Sequence, residues 1–72
     1  MNLFGPRYPV LRRVIVTTKQ DQSYRGLLWQ RHADFLVLRE AELLRPGGAV
    51  PLPMVGEMFV YTANVEYVQV LP

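Results

Sequence analysis

The chain has 72 residues, half of them hydrophobic, with a formal net charge of +2, one histidine and no cysteine. Such a length holds a single domain, residues 1–72, and the apolar content argues against disorder. The missing cysteines exclude disulfides and thiolate metal sites, the lone His32 cannot make a histidine-rich metal site, and no apolar run reaches the roughly 18–20 residues that span a membrane.

Residues 1–12 read as an irregular N-terminal arm, because Pro6 and Pro9 break any helix there. A brief helical turn over residues 10–13 is an alternative at the end of this arm. Residues 13–18 (RVIVTT) are β-branched and apolar, a strong strand signal. Residues 19–22 (KQDQ) form a polar turn, and residues 23–30 a second strand. On it Tyr24, Gly26 and Leu28 share one face, while Arg25, Leu27 and Trp29 share the other. A glycine inside a strand marks a bend, so Gly26 is a candidate barrel corner.

Residues 31–33 turn the chain, and residues 34–44 (DFLVLREAELL) open as a strand. The tail REAELL contains good helix formers, which makes a short helix the alternative. No capping signal precedes it, so one long strand is preferred. Residues 45–53 (RPGGAVPLP) read as a loop. Residues 55–62 form a fourth strand, Ala63 and Asn64 a tight turn, and residues 65–71 a fifth strand. Five short, bent strands over residues 13–71 predict an all-β fold, a small SH3-like or OB-like barrel.

A domain this small buries only about 60–65% of its unfolded surface. With disulfides and metal removed, oligomerisation is the compensation left. The last two strands carry apolar residues on both faces, and one small core does not cover them all. Met58, Phe59, Val60 and Tyr61, then Val65, Tyr67, Val68 and Val70, are therefore the candidate oligomer interface, with edges that need partners. A head-to-tail contact that closes makes a ring. The chain opens with no basic segment followed by an apolar run, so no secretory signal is expected and the expected compartment is the cytoplasm.

The strand pattern resembles the Sm/LSm superfamily, which includes the Hfq-related barrels. The first motif is matched by Val14-Ile15-Val16, by Gly26-Leu27-Leu28 and by Asp34-Phe35-Leu36-Val37-Leu38. The second is matched by Gly56-Glu57-Met58-Phe59-Val60, the turn to Asn64, and Val65-Glu66-Tyr67-Val68. The resemblance implies a five-stranded, strongly bent Sm-like barrel and a homo-oligomeric ring of five to eight subunits, in which the fourth strand of one pairs with the fifth of the next. Short, divergent motifs of this kind also resemble small Sm-like proteins of bacteriophages and their bacterial hosts. Several family residues differ. Asp34 lies eight residues after Gly26 instead of six, no Asn follows it, Tyr61-Thr62 replaces Arg-Gly, and the Lys-His pair of the Hfq branch is missing.

In an Sm-like layout the turn after strand two and the turn after strand four meet at the pore. The candidate nucleic-acid-binding residues are then Arg31, His32, Asp34 and Phe35 from the first, and Tyr61, Thr62 and Asn64 from the second. Aromatic, imidazole and amide side chains can stack on and hydrogen-bond an unpaired base. Each also has a plain structural role open to it: Phe35 in the core, Tyr61 in an interface, His32 and Asn64 in turns. Residues 1–36 carry a charge of +4 and residues 37–72 carry −2, and Arg12 and Arg13 with Arg7 form the densest basic cluster. These arginines suit phosphate contacts, or equally solvation and subunit salt bridges.

No catalytic residue, cofactor or metal is expected. The only histidine has no adjacent serine, and Gly47-Gly48 lacks the Lys-Ser/Thr and helix of a phosphate loop. Two functions remain: a ring that binds RNA or single-stranded nucleic acid, and a structural ring with a protein partner.

Overall fold

The computed structural model describes residues 10–72. The expected arm up to residue 9, Arg7 included, lies outside the described residues. Six strands follow: β1 (Arg12–Thr18), β2 (Ser23–Arg31), β3 (Phe35–Leu44), β4 (Leu52–Pro53), β5 (Met58–Tyr61) and β6 (Val65–Val70). They form one antiparallel sheet in the order β4-β3-β2-β1-β6, with β5 also on β3.

The alternation along β1 places Val14 and Val16 at 0% exposure, inside the bend of the sheet. Thr18 closes the turn to β2: its amide donates to the Gln22 carbonyl at 2.8 Å, and its hydroxyl oxygen accepts from the Gln22 amide at 3.2 Å. Asp21 takes the left-handed conformation there (φ 65°), which a short polar side chain tolerates better than most.

Two bulges between β2 and β3 help to bend the sheet into a barrel. Arg25 faces Glu42 and Leu27 faces Arg39, so Gly26 stands opposite two residues, Glu40 and Ala41. A β-carbon on Gly26 would lie 3.0 Å from both the Ala41 Cα and the Arg39 carbonyl oxygen. Only glycine admits this approach, and the extra residue across from it curls β3. The second shift lies at Trp29, between the Leu28–Leu38 and Gln30–Val37 pairs. Inside the curve Val14, Val16, Leu28, Leu36, Leu38, Ala41 and Val60 form the core, flanked by Tyr24, Met54, Met58, Val65 and Val68.

The expected five-stranded bent barrel is present, with three differences. The loop after β3 contains the two-residue β4, because Leu52 and Pro53 pair back on Leu43 and Glu42. The strand expected from residue 55 begins at Met58, since Gly56 is left-handed (φ 85°) and Val55 is wholly exposed. The alternative of a helical turn over residues 10–13 is not realised. The Leu11 amide already donates to the Leu28 carbonyl at 2.6 Å, so Arg12 belongs to β1 and not to an arm. Residues 39–44 stay extended despite their helix formers, because they pair with β2 on one side and in part with β4 on the other.

Three strands pair on one side only among the described residues: the two-residue β4 and β5, each with β3, and β6 with β1.

Candidate functional site

The β2–β3 turn and the β5–β6 turn are tied together. The Thr62 amide donates to the Asp34 carbonyl at 2.8 Å, and the Thr62 hydroxyl donates to the Ala33 carbonyl at 3.4 Å. The first turn is closed by the His32 amide, which donates to the Phe35 carbonyl at 2.8 Å. The second is a 3-10 turn over Thr62–Asn64. Antiparallel pairing then sets Phe35 opposite Tyr61 and Val37 opposite Phe59. These four side chains lie on the outer face of the sheet, because their neighbours Leu36, Leu38 and Val60 take the core face.

The result is an aromatic cluster centred on Phe35. His32 stacks on it at 4.4 Å between ring centroids, Phe59 stacks nearly parallel at 5.1 Å, and Tyr61 meets it edge-on at 6.2 Å. The His32 Nε2 lies 3.2 Å from the Gln30 side-chain oxygen. Phe59 and Tyr61 are about half exposed. This surface offers aromatic faces and edges, an imidazole, and the exposed Asp34 carboxylate.

His32, Asp34, Phe35, Tyr61 and Thr62 thus come together as the sequence indicates, and Arg31 adjoins them at the end of β2. Phe35 lies in this outer cluster and not in the core. The Asn64 backbone carbonyl accepts from the amide of Lys19, just after β1, at 2.8 Å. Arg12 and Arg13 are engaged elsewhere: Arg12 donates to the Leu71 carbonyl at 3.0 Å, and Arg13 pairs with Glu40 at 2.6 Å. Arg25 likewise bonds Glu42 at 2.8 Å, and Arg39 bonds Glu57 at 2.8 Å while its guanidinium lies 3.9 Å over the Trp29 ring. The Arg39–Trp29 stack and the place of Phe59 beside Phe35 escaped the sequence reading. The place of Phe59 two residues before Tyr61 on the same strand, and so on the same face, was the available signal.

The interface candidates divide in the same way. Val60 lies in the core, and Met58, Val65 and Val68 are partly buried against it. Phe59, Tyr61, Tyr67 and Val70 remain exposed. Their edges carry backbone groups as well. The Thr62 amide bonds β3, so by alternation the amides of Phe59 and Tyr61 point to the open edge of β5. The Leu71 amide bonds the Arg13 carbonyl at 2.9 Å, so those of Val68 and Val70 point to the open edge of β6. Among the described residues no group of three or more His, Cys, Asp or Glu is placed to hold a metal ion, and no helix is long and apolar enough to cross a membrane.

A small, strongly bent antiparallel barrel with two joined turns and with β5 and β6 each open along one edge is the Sm type of domain. No protein-family model matches the sequence, and no curated protein matches it. Solved structures do. A heptameric archaeal Sm protein superposes with a TM-score of 0.76 at 25% identity, covering 88% of this chain and 90% of its own. The P. aerophilum Sm protein SmAP1, also solved as a heptamer, gives 0.77 at 25% identity, covering 88% of this chain and 82% of its own. The chain is an Sm/LSm-like protein.

Proposed function

We propose that this protein assembles into a closed homo-oligomeric ring that binds single-stranded RNA at the cluster around Phe35. Ring closure is supported by the open strands β5 and β6: β5 of one subunit and β6 of the next satisfy each other's amides and carbonyls and cover Phe59, Tyr67 and Val70. Both solved Sm proteins it resembles are heptamers, which makes seven the expected count. The observation that carries the binding function is the Thr62–Asp34 bond, since it brings His32, Phe35 and Tyr61 to one place. Repeated around a ring, those aromatic and polar groups suit a flexible strand whose bases stack and whose edges hydrogen-bond. The protein acts as a binding module and not as an enzyme, and a cytoplasmic setting suits such a role.

Fluorescence anisotropy with short U-rich and A-rich RNAs at low salt tests this. Saturable binding that weakens as salt rises is expected. Absence of binding at low salt, or complete insensitivity to salt, would remove the RNA function.

A structural ring with a protein partner is the alternative, and one observation favours it. Arg13, Arg25 and Arg39 are each matched to a glutamate, which damps the positive field that nucleic acid requires. Capture of one specific protein with no co-purifying nucleic acid supports that alternative. A high 260/280 absorbance ratio that nuclease abolishes counts against it.

A further inference from the structure

The polar atoms around Phe35 are not an even mixture of donors and acceptors. Asp34 stands exposed in the β2–β3 turn. Its backbone carbonyl accepts from the Thr62 amide at 2.8 Å, which fixes the residue in place whatever its side chain does. An aspartate in a turn commonly bonds its own backbone two residues on. Asp34 does not do so. Among the described residues its carboxylate accepts no hydrogen bond and makes no ion pair within 4.0 Å.

The neighbouring side chains add further acceptors. The His32 Nε2 lies 3.2 Å from the Gln30 side-chain oxygen. That oxygen only accepts, so Nε2 carries the proton and a neutral ring keeps Nδ1 as an acceptor. The Thr62 hydroxyl points its one hydrogen at the Ala33 carbonyl at 3.4 Å, which leaves its lone pairs. The Tyr61 hydroxyl can act either way, and its ring is 56% exposed.

A carboxylate sets two acceptor oxygens side by side and donates nothing. Of the four RNA bases, guanine alone carries two donors next to each other on one edge, N1–H and the N2 amine. Uracil places its N3–H between two carbonyls. Adenine and cytosine each place one amine beside a bare ring nitrogen. Those three bring an acceptor against the carboxylate, and an unmatched pair of this kind discriminates as strongly as a matched one attracts. Unpaired bases in RNA expose these edges.

We propose that the site around Phe35 selects guanine. The base lies on the exposed Tyr61 ring, and Asp34 accepts from both N1–H and the N2 amine. This selectivity rests on the RNA-binding function proposed above and gives it a preferred base. Arg31 precedes His32 in the chain and is the one described arginine whose side chain makes no hydrogen bond among the described residues. It suits the phosphate of the same nucleotide and offsets the charge of Asp34.

Fluorescence anisotropy of the full chain with short labelled RNAs tests the inference. The strands are oligo-uridine and the same strand with one central guanine, adenine, cytosine or inosine. A bidentate base contact discriminates by about fivefold to a hundredfold, and that preference is expected for the guanine strand. Inosine keeps N1–H and lacks the amine, so its strand is expected between guanine and uridine. Asp34→Asn leaves the backbone bond to Thr62 in place and changes an exposed side chain, so an unchanged far-ultraviolet circular dichroism spectrum is expected. Its amide offers one donor and one acceptor, so the guanine preference is expected to vanish. Equal affinity for every strand, or preference for another base, overturns the inference and leaves RNA binding standing. Inosine bound as tightly as guanine, or an Asp34→Asn variant that still prefers guanine, also overturns it. No binding of any strand at low salt overturns the RNA function and the inference together.

Discussion

The amide of Thr62 donates to the carbonyl of Asp34 at 2.8 Å, and this one bond joins the β2–β3 turn to the β5–β6 turn. Residues far apart in the chain meet there because β5 lies on the first half of β3, with Phe35 opposite Tyr61. Everything offered to a ligand near Phe35 depends on that register.

Phe35→Ala removes the centre of the aromatic cluster. The side chain is half-buried and contacts three rings, and each aromatic pair adds about 0.5–1.5 kcal/mol beyond area burial. A loss of roughly 2–3 kcal/mol in urea unfolding is expected. Phe35→Leu, which keeps much of the volume, is expected to lose less than half of that.

Tyr61→Ala separates binding from folding. Tyr61 is 56% exposed, so the subunit should tolerate its loss. Base–aromatic stacking is worth about 1–3 kcal/mol per base, so RNA affinity is expected to fall between about fivefold and a hundredfold. Anisotropy titrations at fixed salt measure this, and an unchanged affinity would move the binding surface away from the cluster.

Gly26→Ala tests the bend. The new β-carbon would meet backbone on two sides at 3.0 Å, and backbone cannot rotate away. Overpacking of this kind costs typically about 1–3 kcal/mol, to be read from the shift of the denaturation midpoint at constant m-value.

Val70→Pro tests the open strand. Its amide points away from β1, so proline removes a donor from the free edge and leaves the β1–β6 ladder intact. The expected result is a folded subunit, by far-ultraviolet circular dichroism, that no longer assembles.

Much of this fold was legible in the residues themselves. The alternating Val14-Ile15-Val16 and Phe35-Leu36-Val37-Leu38 gave their faces away through period-two patterning, and an interior glycine at 26 marked the bend. The meeting of the His32 and Thr62 turns followed from the resemblance to Sm barrels. What stayed hidden were features set by pairing and not by local sequence. The proline-containing β4 exists only because β3 has a vacant half-edge to receive it. Arg12 and Arg13, a basic cluster on paper, are drawn to Leu71 and Glu40 by strands that come from elsewhere in the chain. Val60 looked like an edge residue because the pattern is apolar on both faces, and only the cross-strand partner Leu36 decides which face is the core.

Native mass spectrometry of the purified full chain is the most direct test of the central claim, that the open strands β5 and β6 join copies of this protein into a ring. A closed count is expected, seven subunits per ring as in the solved Sm heptamers it resembles, and the Val70→Pro variant should lose it. A strictly monomeric wild type, or an open-ended ladder of masses with no preferred count, would contradict the claim.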